Sequence, residues 1–182
     1  MNQGNSSQGK VILGHNKLES SISSTIKNSL VRRLLELQRL LLLTLPKIEP
    51  QWLWQQPSTH IPCIGVQLRH MEGNLKQYIV VNLSGQKDKR ERKKEFERDQ
   101  KISLEQLSEG LLNELQQARA LIDRASSSVW NEDYKVQGFS MTRLEACIHG
   151  VEHLNYHLGQ IALLVKYYKP QDLGYYPEIS QN

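Results

Sequence analysis

The chain has 182 residues, 38% of them hydrophobic and 23% charged, with a net charge of +4. That is long enough for one domain with a substantial core, and the composition excludes a collagen-like or wholly disordered chain. The excess of positive charge sits mostly in one run, so nucleic-acid binding is permitted but not argued for. The two cysteines, Cys63 and Cys147, fall in segments that read as different helices. This speaks against a disulfide framework and fits a reducing cytoplasm.

Residues 1–17 are rich in Asn, Gln, Gly and Ser and read as a flexible arm without a signal-peptide core. From about Leu18 to Leu45, Ile22, Ile26, Leu30, Leu34, Leu37, Leu41 and Leu45 follow helical spacing, and Pro46 ends the helix. Its apolar stretch is interrupted by Glu36, Gln38 and Arg39, and is too short to cross a bilayer. A proline-containing connection carries Trp52 and Trp54, expected to close one end of the core rather than to act at a site. A second helix is expected from about Cys63 to Leu83, then a turn at Ser84-Gly85. The run from Lys87 to Lys101 alternates signs and reads as solvated crossover surface. Ser103-Leu-Glu-Gln106 is a capping box that opens a third helix, with Leu107, Leu111, Leu115, Ala118 and Ile122 on one seam. Val129 to Ser140 is irregular or a short hairpin turning at Gly138. A second capping box, Thr142-Arg-Leu-Glu145, opens a fourth helix, and Pro170 begins a polar tail over residues 171–182.

The fourth helix carries His149, His153 and His157 at successive four-residue steps. Four residues turn a helix by about 40°, so the rings form one stripe, and two such histidines can bind one metal ion. Alone, such a pair is more often a half-exposed polar stripe. The second helix adds weight. With His70 at the origin of a helical wheel, Ile64, Leu68, Met71, Leu75 and Ile79 fall roughly 100° to 180° away. Gln67, Asn74 and Gln77 cluster near His70 itself. The histidines of both helices are thus displaced to the same side of an apolar arc. Packing those arcs together brings His70 to His153 and His157. Three imidazoles with further positions open to water is a catalytic type of site, and the metal would be divalent. Asn74, Gln67 and Gln160 stand one turn from these histidines and can hold ring N–H groups or water. His149 is an alternative ligand, further from the apolar arc.

Arg69-His70-Met-Glu-Gly-Asn74, Arg90-Glu-Arg92…Glu95-Phe96 and His153-Leu-Asn-Tyr-His157-Leu-Gly-Gln160-Ile together resemble the DinB-like (YfiT-like) superfamily of metalloenzymes. They stand closest to an uncharacterised subgroup with H-x-x-G-N and H-x-x-x-H-x-G-Q-I signatures. The resemblance covers about residues 20–170. It implies an all-α fold, a four-helix bundle with a long crossover connection, over a domain of residues 18–170. It also implies a nickel, zinc or iron ion on His70, His153 and His157, and a homodimer. Better characterised relatives are transferases and isomerases that use low-molecular-weight thiols. The expected activity is thus thiol S-transfer or hydrolysis of a small-molecule substrate, with no membrane partner. In the subgroup pattern an Arg is common where this chain has His149, which leaves a shifted or extended ligand set open. The rival reading is an interaction module whose His cluster is structural or vestigial.

Overall fold

The computed structural model describes residues 6–178, with side chains from Leu18 onward. Residues 1–5 of the expected arm and the last four residues of the tail lie outside the described residues, whereas residues 6–17, expected as arm, extend the first helix at its N-terminal end. Helix α1 spans Ser6–Thr44. Its Leu30, Leu34, Leu37 and Leu41 alternate three- and four-residue steps, and all four are buried. Each such leucine contributes about 1.5–3 kcal/mol of transfer free energy. Pro46 cannot continue the α-helical ladder, and the chain tightens into a 3₁₀ turn at Leu45–Lys47.

The tryptophan connection closes the core, as its composition suggests. Trp52 is buried and stacks on Tyr168 with ring centroids 5.5 Å apart. The Trp54 indole donates to the Ile102 carbonyl (3.0 Å) and lies flat over Gly65, where a Cβ would come within 2.7 Å of the ring. Only glycine admits that approach.

Helix α2, Ile64–Leu75, runs on through a π-helical stretch at Lys76–Val81 into α3, Asn82–Ser84. Gly85 stops it in the left-handed conformation (φ 69). The crossover then holds one short helical turn, α4, Arg92–Glu95. Helix α5, Leu104–Arg124, starts at the expected capping box: the Gln106 amide donates to Ser103 Oγ (3.2 Å), and the Ser103 amide donates to Gln106 Oε1 (2.9 Å). Its seam from Leu107 to Ile122 is buried.

The fold is mostly helical rather than wholly so. Strands β1, Asp133–Val136, and β2, Phe139–Thr142, pair antiparallel with Asp133 opposite Thr142 and Val136 opposite Phe139. The turn between them, Gln137-Gly138, has φ of 52 and 85, the twist that a two-residue hairpin demands. Thr142 ends the hairpin and caps α6, Arg143–Tyr168, through its box with Glu145.

Helices α1 and α2 each pack against both α5 and α6, so the four long helices surround a shared core. Gly150 lets α6 close on the π-helical stretch that follows α2: a Cβ there would lie 2.9 Å from Ile79 Cγ1. This close approach falls between His149 and His153 in the sequence of α6. Among the described residues, no helix is long and apolar enough to cross a membrane.

Candidate metal centre

His70 projects from α2 and is buried. Its Nδ1 lies 2.8 Å from Oε2 of Glu95, which α4 brings in from the crossover. Glu95 is itself buried and clasped by Arg90, whose Nε and Nη2 donate to its two oxygens at 2.7 and 2.8 Å. Burial pushes the Glu95 carboxyl upward, but the hydrogen bonds from Arg90 and His70 outweigh it and hold the group below its usual range. An ionised carboxylate only accepts, and Glu95 at 2.8 Å is nearer to Nδ1 than the Arg90 Nη2 donor at 3.3 Å, so a neutral His70 donates through Nδ1–H and keeps its lone pair on Nε2.

That Nε2 lies 3.1 Å from Nε2 of His153 on α6. One turn on, His157 turns its Nδ1 to Gln67 Oε1 (3.3 Å). The Gln67 amide is oriented by its own donation to the Pro62 carbonyl (3.1 Å), so its oxygen faces the ring. His157 therefore also offers Nε2 as its free lone pair. One nitrogen from each of His70, His153 and His157 lies within 4.8 Å of the other two.

These residues fit a bound cation. Nitrogens that ligate one ion at about 2.0–2.1 Å, with an angle of roughly 90–110° between them, stand about 2.9–3.4 Å apart. The His70–His153 separation falls inside that window. Two lone pairs so close repel unless a proton or a cation lies between them. The Nδ1 of His153 is buried without a hydrogen-bond partner, so this ring makes up no loss on its other side.

The electrostatics keep the two α6 rings, His153 and His157, neutral. Burial pushes His153 down to about 3, and the neighbouring His157, His70 and His149 rings add to it. Burial, with His70 beside it, pushes His157 down to about 4, against a hydrogen bond with Gln160. Neutral imidazole is the ligating form.

Of the residues singled out in the sequence, Gln67 holds His157, and Gln160 touches the same ring. Asn74 is buried but reaches His149 (3.5 Å) and none of the three close histidines; its Oδ1 has no partner. His149 stands apart from the group, its ring packed on Tyr78 with centroids 4.2 Å apart. The sequence reading missed Arg90 and Glu95 as site residues, since both lie in the run taken for solvated surface. Only the Arg90…Glu95-Phe96 portion of the family pattern marked them. Phe96 packs on the His70 ring (5.0 Å) and Tyr156 on that of His157 (5.0 Å). Neither cysteine is a candidate nucleophile: burial pushes Cys147 up to about 12 and raises Cys63.

Fold and site together define a mostly helical protein with a three-histidine group able to hold a metal ion. A family model described as "Protein of unknown function (DUF1572)" matches residues 22–176, and the chain belongs to that family. No curated protein matches the chain.

Proposed function

We propose that this is a metal-dependent protein of the DinB-like four-helix type, with nickel, zinc or iron held by His70, His153 and His157. The observation that supports it most is the 3.1 Å approach of two imidazole Nε2 atoms, one of them fixed as a lone pair by a buried carboxylate. Such an ion, when bound, supplies Lewis acidity that acidifies a water or a thiol and polarises a substrate oxygen. The reading follows as transfer to, or hydrolysis of, a small molecule, with a low-molecular-weight thiol as the co-substrate favoured by the family resemblance.

The chain's own residues divide the remaining tasks. Glu95 fixes the His70 tautomer and strengthens that ring as a donor. Arg90 keeps the carboxylate ionised. Gln67 orients His157. Phe96 and Tyr156, both exposed to solvent beside the histidines, offer aromatic faces to a substrate.

The experiment is elemental analysis of protein purified without chelator, followed by a thiol-transfer and hydrolysis screen with the metal found. The expected result is close to one ion per chain, almost none in His153→Ala/His157→Ala, and turnover only in the loaded protein. Absence of metal even after reconstitution with zinc, nickel and iron would contradict the proposal and leave a structural His cluster. Metal without turnover would sink the catalytic half alone.

A further inference from the structure

A second recess lies beside the histidines but is not lined by them. It is a cleft of about 750 Å³ between α2 and the 86–95 crossover, and the Arg90–Glu95 pair forms part of its wall. That volume lies in the range of small-ligand sites. Its walls are charged, and the balance is what matters.

The acids are nearly all engaged. Glu95 is clasped by Arg90 (2.7 Å) and Glu91 pairs with Lys94. Asp88 accepts from the Arg90 amide (2.9 Å) and from the Gln77 side chain. Glu72 lines the same cleft, close enough to the Lys76 and Arg69 charges to offset part of them. Among the cations, Lys76 is taken by Glu114 (2.9 Å). Three remain. Arg69 makes one hydrogen bond, to the Glu97 carbonyl (2.8 Å), and has further donors free. Lys87 and Lys89 line the cleft without a hydrogen bond or an ion pair.

Exposed lysines in a charged run are ordinarily solvated surface. Here they border a concave space lined by six cations (Arg69, Lys76, Lys87, Lys89, Arg90 and Lys94) against four carboxylates (Glu72, Asp88, Glu91 and Glu95), so positive charge is in excess along its wall. We propose that this cleft binds a small phosphorylated molecule, with its phosphate held by Lys87, Lys89 and Arg69. Two unpartnered lysines and an arginine with donors to spare match a multiply charged anion better than a single carboxylate, and arginine offers a fork to phosphate oxygens. The site is independent of the metal reading.

The test is calorimetric titration of the full chain, as purified, with inorganic pyrophosphate at physiological ionic strength. Saturable one-to-one binding is expected. Lys87→Gln/Lys89→Gln should weaken it at least tenfold while leaving the circular dichroism spectrum unchanged, since both side chains are exposed. His153→Ala/His157→Ala should bind as wild type does. The proposal is overturned if the wild type shows no saturable binding, or if the lysine variant binds equally well. It is overturned too if the histidine variant loses binding, which would put the anion at the metal centre. An equal loss in Lys135→Gln/Lys166→Gln, exposed cations elsewhere, would reduce the effect to overall charge.

Discussion

The two sides of the histidine group are held very differently. On α2, His70 is held from behind by Glu95, which Arg90 clasps, and the nearer carboxylate favours the Nδ1–H tautomer. On α6, His153 has a buried Nδ1 with no partner, and His157 leans on an amide at 3.3 Å. One wall is preorganised; the other depends on what enters the site. The charged support behind the histidine group thus comes from the crossover, although two of its three histidines come from α6.

The largest effect expected from breaking this arrangement is loss of a ring. His70→Ala should abolish stoichiometric metal binding, read by elemental analysis. His149→Ala should leave it intact, because that ring lies outside the close group. Next comes the support behind His70. Glu95→Gln keeps the shape and removes the charge, and should weaken metal affinity about 10- to 100-fold in a competitive chelator titration. Gly73→Ala reaches the same support by sterics: its Cβ would lie 2.1 Å from Glu95 Oε1, so the carboxylate must leave its place. Its affinity loss should match that of Glu95→Gln. Gly159→Ala is the control, since a Cβ there meets nothing within 4 Å. It should bind metal normally and gain about 0.5–1 kcal/mol in helix stability, seen as a higher Tm.

Acid sharpens the contrast from the α6 side. In the metal-free fold, His153 and His157 sit at about 3 and about 4, below the 6.5 of a free imidazole. Between those values the unfolded chain takes up protons that the folded chain does not. Stability contributed by these rings is therefore present above pH 6.5 and is lost as pH falls toward 4. Denaturant midpoints of wild type should drop across that window, and those of His153→Ala/His157→Ala should drop less.

Much of this could be read before any coordinates. The apolar seams, both capping boxes and Pro46 mark the helices because each leaves a local trace in the residues. The three histidines were legible because helical period converts spacing into direction. Glu95 and Arg90 were not legible from local pattern. In a run where acids and bases alternate, nothing local tells the two that turn inward from those that stay in water. The π-helical stretch at Lys76–Val81 was equally hidden, since a shift to i→i+5 hydrogen bonds needs no special residue. Asn74 was placed near His70 by the wheel, yet its amide points along the groove to His149. The hairpin was half visible: Gly138 announced a turn, but the strands on either side are only four residues long.

The most direct test of the centre is a cobalt(II) titration followed by the visible absorption of the bound ion. It would compare wild type with His70→Ala, His153→Ala, His157→Ala and His149→Ala. One equivalent should bind wild type and His149→Ala alike, and each of the other three variants should lose the tight phase. A wild type that takes up no cobalt, or a His149→Ala variant that loses binding while one of the three retains it, would contradict the assignment.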